Sequence, residues 1–185
     1  MRRAFTLIIL LVLCAAMAVT AYAGKPRRHK HKEREQNEHI QVVTNDSVKS
    51  DTLLSFAQTL LGVRYRPASS DPVYGFDCSG FVNYVFKNFS FTIPRSSEDF
   101  VNVGENINIE DARPGDIILF KGTKSHHPHG VGHMGIVYCN DGGDLKFIHS
   151  TSGKEYCVTI SAMTDTYKRR FVKVIRLLKQ NDLQL

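Results

Sequence analysis

The chain has 185 residues, 42% hydrophobic and 23% charged, with a net charge of +6. At about 100 to 200 residues per domain this reads as one domain with a real core, and no second large domain is expected. The positive charge is gathered at the front: residues 51–185 carry 15 basic against 14 acidic side chains, so the globular part is nearly neutral and no nucleic-acid partner is expected.

The opening "MRRAFTLIILLVLCAAMAVTAYAG" has two arginines, an apolar run and a small-residue finish at Ala21-Tyr22-Ala23. It reads as a secretory signal peptide over residues 1–23, too short in its apolar run for a bilayer span of roughly 20 residues. Export to the periplasm, the cell envelope or the medium is therefore expected, with no integral span after cleavage. Lipid attachment at Cys14 is disfavoured by the bulky Leu13 before it. Residues 24–50, including "KPRRHKHKEREQNEH", mix bases with acids and lack an apolar period. They read as a basic flexible linker rather than a nucleic-acid arm.

From Asp51 the spacing of Leu53, Phe56, Ala57, Leu60 and Leu61 predicts one helix with an apolar face, stopped by Gly62. "VRYRPASSDPVYG" reads as an ordered loop, rich in Pro, Ser and Gly. A second helix is predicted from about Cys78 to Phe89, burying Phe81, Val82, Val85, Phe86 and Phe89. A polar segment follows, with a short helix near Ser96 to Val101. Then come five strand-like runs, "DIILFK", "HMGIVYC", "LKFIHST", "EYCVTI" and "RRFVKVIRLL", separated by turn signals. Helices first and strands after favour an α+β fold, an antiparallel sheet of about five strands with helices packed on one side. The domain is expected over residues 51–180, with a tail at 181–185.

Three cysteines remain after the leader: Cys78, Cys139 and Cys157. An odd number leaves at least one unpaired, or paired between molecules. Cys139 and Cys157 sit in strand-like runs as small apolar residues, and a disulfide between them stays open. Cys78 differs, because its neighbours are polar and it opens a helix, whose N-terminal N–H groups favour a thiolate. Two histidines on strands, His133 and His149, are candidate partners. If their strands form a hairpin about "NDGGD", Asp144–Ile148 face Cys139–Ile136 and His149 lies across from Met134–Gly135, within hydrogen-bonding reach of His133. A thiol, a base and a group orienting the base make a Cys-His-His set for nucleophilic catalysis. The cluster His126, His127 and His129 invites a metal, but no carboxylate or cysteine stands near it, so adventitious binding or pH-sensitive loop behaviour is favoured.

"FDCSGFVNYVF", "RPGDIILF", "GHMGIVY" and "FIHSTS" occur in the order and approximate spacing of NlpC-type cell-wall cysteine peptidases, and the chain resembles that family from roughly Leu53 to Leu178. The resemblance implies a circularly permuted papain-like fold, with Cys78 as nucleophile, His133 as base and His149 as the residue orienting it. It also implies that Asp77 and Ser79 recognise the amino end of a stem peptide, and that Tyr65 lies near the oxyanion site with the Cys78 N–H as second donor. The implied reaction is hydrolysis of a peptidoglycan stem-peptide amide, γ-D-glutamyl to a diamino acid, in muropeptides or wall, with no cofactor and no metal. The loop "VRYRPASS" departs from the family's usual Pro before Tyr and Gly-Gly after it. Two other classes fit the sequence: a thiol acyltransferase or amidase on another amide or a lipid, and a catalytically silent cell-wall binding module.

Overall fold

The computed structural model describes Val42, Thr44, Asn45 and residues 47–123 and 130–179. The leader, Cys14, most of the basic linker, the His126, His127 and His129 cluster and the C-terminal tail lie outside the described residues. Among the described residues, no helix is long and apolar enough to cross a membrane.

Helix α1 spans Ser50–Gln58 and buries Leu53, Leu54 and Ala57. It is shorter than the spacing predicts. Turns of the tighter kind, from Thr59 to Phe56 and Leu60 to Ala57, close it after Gln58, and Gly62 enters a left-handed conformation at φ +81. Leu60 is thus buried from the turn, while Leu61 is turned outward and 45% exposed. The tyrosine loop is ordered by a two-strand ribbon, β1 (Ser70–Asp71) and β2 (Gly75–Phe76), paired antiparallel. Helix α2 spans Cys78–Asn88 and buries Phe81, Val82, Val85 and Phe86, as expected, whereas Phe89 sits past its end and is half-buried. Each large apolar side chain so buried contributes about 1.5–3 kcal/mol.

A 3₁₀ helix at Ser97–Asn102 leads to strand β3 (Glu105–Ile107). The remaining strands are β4 (Ile117–Lys121), β5 (Val131–Asp141), β6 (Asp144–Ser150), β7 (Val158–Ala162) and β8 (Phe171–Arg176). They form one antiparallel sheet in the order β3-β8-β4-β5-β6-β7. The sheet therefore has six strands where five were expected; "ENI" in β3 is too short and polar to read as a strand alone. Arg169 and Arg170, expected in the last strand, instead end a short helix, α3 (Asp165–Arg170).

Alternation along the strands builds two apolar layers. Ile117, Leu119, Met134, Ile136, Ile148 and Ile175 face α1 and α2. Ile118, Phe120, Val137, Phe147 and Val174 face the other way, where Ile109 and Tyr167 of α3 help cover them. The two longer helices lie on one face, as expected, but the opposite face is apolar as well. Behind β4, Arg176 and Asp116 form a buried bidentate pair, both bonds 2.9 Å, and Asp116 also accepts from the Arg113 N–H.

Candidate active site

Cys78 is the first residue of α2, and the helix can start there because Asp77 caps it. The Asp77 Oδ1 accepts from the Gly80 N–H at 2.6 Å, satisfying one of the helix's orphan donors. Gly80 is required by packing: a Cβ there would stand 2.0 Å from the Ser69 carbonyl oxygen, and that carbonyl also accepts from the Asp77 N–H. "DCSG" thus combines a cap, the thiol and a glycine that lets the tyrosine loop lie against the helix start.

The histidines are placed by the β5–β6 hairpin. Its tip is Gly142-Gly143, both at positive φ, and Ile136 pairs with Ile148 as expected. The far end pairs Asp141 with Asp144, because a register shift between Val137 and Cys139 takes up an extra residue. Next to His133, β5 is irregular again: Phe120 pairs with His133 but Lys121 with Val131, leaving Gly132 out of the ladder. Gly135 allows the close approach, since a Cβ there would crowd the Ile148 carbonyl, the Phe147 ring and the His149 Cβ at 2.9 to 3.0 Å.

The outcome is a 2.8 Å hydrogen bond between His133 Nε2 and His149 Nδ1. His149 is fully buried, and its other nitrogen, Nε2, lies 2.9 Å from the Ser161 Oγ on β7. Tyr167 of α3 stacks on the His133 ring at 6.4 Å and 24° and meets His149 edge-on at 5.8 Å. The Cys78 thiol lies against the backbone N–H of Met134, the residue after His133. No thiol–imidazole hydrogen bond is present among the described residues, so the structure joins the two histidines directly and brings the cysteine to β5, the strand that carries His133.

Electrostatics correct one expectation. Burial pushes the Cys78 thiol up to about 11 and the Asp77 carboxylate adds to this, outweighing the N–H groups of Ser79, Met134 and Cys78 itself. Desolvation beats the helix start here. His133 is held well below its ordinary value by burial, then by His149 and Arg170, and His149 is lowered to about 4 by burial and then Arg170. At neutral pH the resting site is a neutral thiol beside two neutral imidazoles.

The remaining expected residues line one cleft. Tyr65, Asp77, Cys78 and Ser79 border an open cavity of about 590 Å³ together with Arg95. Tyr65 packs on Tyr156 at 5.4 Å, and burial followed by the charges of Cys78 and Asp77 raises its phenol above the ordinary value. Arg95 grips Asp77 through two bonds of 3.0 and 2.7 Å and Ser79 Oγ through a third of 2.9 Å. Cys139 and Cys157 are free thiols, not a disulfide. No metal-holding cluster exists among the described residues.

The profile of the NlpC/P60 family matches residues 62–176, which include every one of these site residues. The chain belongs to the NlpC/P60 family. Among its NlpC/P60 relatives, the Escherichia coli murein DD-endopeptidase MepS/murein LD-carboxypeptidase is 32% identical over 148 residues, 79% of this chain and 72% of the relative. A Bacillus subtilis gamma-DL-glutamyl hydrolase is 32% identical over 120 residues, but those are only 27% of its length. A Bacillus cereus gamma-D-glutamyl-L-lysine dipeptidyl-peptidase is 30% identical over 131 residues, 37% of its length. The crystal structure of a Bacillus cereus NlpC/P60 protein superposes with a TM-score of 0.61 at 30% identity, covering 74% of this chain and 41% of the other. The permuted papain-like α+β fold expected of an NlpC/P60 chain is the one observed, with the sixth strand added.

Sequence reasoning missed Arg95, Ser161, Tyr167 and Arg170. Only Arg95 carries a signal, as a lone base after Pro94 at the exit from the α2 segment.

Proposed function

We propose that the chain is a peptidoglycan hydrolase, a cysteine endopeptidase that cuts a stem-peptide amide through a thioester on Cys78. The observation that carries the reading is the imidazole pair joined at 2.8 Å between β5 and β6, with the helix-opening thiol lying against β5 beside His133. The names of its relatives, hydrolases and peptidases of murein and γ-glutamyl peptides, support the substrate class. Residues 1–23 act as the export leader and 24–50 as a spacer, so the reaction takes place outside the cytoplasm.

The hydrogen-bond chain supports one placement of the protons. His149 occupies Nε2 of His133, which leaves Nδ1 of His133 as the nitrogen that takes the Cys78 proton. For that, His133 carries its hydrogen on Nε2 and donates it to His149 Nδ1, while His149 donates from Nε2 to Ser161 Oγ. As the sulfur attacks the carbonyl, the thiol proton moves to Nδ1 and the oxyanion forms near the Cys78 N–H and Tyr65. His133 then protonates the leaving amine, and a thioester remains. Water, losing a proton to the same Nδ1, releases the acyl product and the thiol is restored.

Asp77, Ser79 and Tyr65 form the wall for the acyl side of the peptide. The bond assigned is γ-D-glutamyl to the diamino acid, as in the name of the Bacillus cereus relative. A second reading, cleavage at a DD cross-link, is favoured by the longer coverage of the Escherichia coli relative. Mass spectrometry of soluble muropeptides after digestion separates them. A new γ-carboxyl on D-glutamate supports the first, and a new carboxyl on D-alanine replaces it with the second. Muropeptides and sacculi both left uncut refute the proposal.

A further inference from the structure

Arg170 ends α3 immediately before β8, at the end of the sheet where Phe171 pairs with Phe120 and Phe120 with His133. Its Nε donates to the Lys121 carbonyl at 2.8 Å, and its guanidinium stands 5.7 Å over the Tyr167 ring, the ring that stacks on His133. The cation is therefore one aromatic ring away from the imidazole pair. It is half-buried, and the ion pairs among the described residues are Arg95–Asp77, Lys146–Asp144 and Arg176–Asp116, so no carboxylate answers it. Its two terminal nitrogens have no hydrogen-bond partner among the described residues.

A half-buried guanidinium with both terminal nitrogens unpaired is a fork shaped for a planar anion. Its charge reaches the site, because it depresses both histidines. Tyr65, Asp77 and Arg95 border the cleft, whereas Arg170 stands over Tyr167, the ring that stacks on His133, the group that hands a proton to the leaving amine. We propose that Arg170 binds a carboxylate on the amine-side residue of the scissile amide. This rests on the reading of Cys78 and His133 as nucleophile and base. Two carboxylates of a diamino acid qualify, the side-chain one that diaminopimelate has and lysine lacks, and the main-chain one when that residue is C-terminal.

The test uses the mature Cys78→Ala protein, which binds without turnover, and calorimetric titration with four tripeptides, L-Ala-γ-D-Glu followed by meso-diaminopimelate or L-lysine, each as C-terminal acid or amide. Removing one of the two carboxylates is expected to weaken binding about 10-fold or more, the usual size for a charged hydrogen-bonded pair. The same removal should cost nothing once Arg170→Gln is added, and Arg170→Lys should restore part of the difference. The diaminopimelate–lysine and acid–amide comparisons identify which carboxylate is bound. Equal discrimination with and without Arg170, no discrimination at all, or no binding of any peptide overturns the proposal. Preferential binding with no hydrolysis of these peptides by wild type would sink the assigned bond and leave Arg170's role standing.

Discussion

Acidification should unfold this domain through His149, and the size of the effect follows from its burial. The side chain is fully buried, bonded at both nitrogens and lowered from 6.5 to about 4. Below 6.5 the unfolded chain takes a proton on this residue while the folded chain refuses it until about 4, so stability is whole above that window and lost as pH falls through it. The loss is about 2 kcal/mol by pH 5 and about 3 kcal/mol by pH 4. His133, lowered in the same direction, adds to it. Against a total of about 5–15 kcal/mol for a domain, this is a large share. Urea unfolding of the mature chain at pH 7.5 and pH 5, beside His149→Asn, reads it directly. Asparagine can still accept from His133 and donate to Ser161 but does not titrate, so the variant should lose about 2 kcal/mol less than wild type on acidification. Equal losses in the two proteins would refute the reasoning, because they would mean that burial does not keep His149 neutral.

Three further outcomes are expected. Alkylation of Cys78 by iodoacetamide, followed by peptide mapping without substrate, should be slow at pH 7 and climb past pH 9, as a thiol pushed to about 11 requires; a rate already level near neutrality would show a preformed thiolate. Asp116→Asn removes the carboxylate charge from the buried bidentate pair with Arg176 and should cost about 3–5 kcal/mol in urea unfolding; a change under 1 kcal/mol would contradict this. Gly80→Ala drives a Cβ into the Ser69 carbonyl, so the helix start or the tyrosine loop must shift, and turnover should fall at least about 100-fold even where the protein remains folded by circular dichroism. Retained turnover would show that the Cys78 geometry tolerates the displacement.

The sequence carried the fold where patterns are strong. The α2 helix is legible from Phe81, Val82, Val85 and Phe86 at helical spacing behind an Asp cap, and the β5–β6 hairpin from two apolar runs about a Gly-Gly turn. That hairpin was enough to predict contact between His133 and His149, since the pairing of Ile136 with Ile148 fixes their approach. Strand β3 is illegible because its three residues, two exposed and one half-buried, pair only through β8, a partner about 70 positions away. The register shift near Val137 leaves no compositional mark, and the bulge at Gly132 is marked only by one glycine among several in "GVGHMG". Ser161, Tyr167 and Arg170 reach the histidines through sheet order and a short helix, so nothing local announces them. The state of Cys78 was misjudged for a related reason: a helix start is visible in sequence, whereas the burial that outweighs it comes from the sheet packed against the thiol.

The central claim is that Cys78 is the nucleophile. Cys78→Ala, Cys139→Ala and Cys157→Ala can be compared with wild type on the same muropeptide digest, with products read by mass spectrometry. Cleavage should vanish with Cys78→Ala and persist with the other two. Products from the Cys78→Ala protein at the wild-type rate would contradict the account.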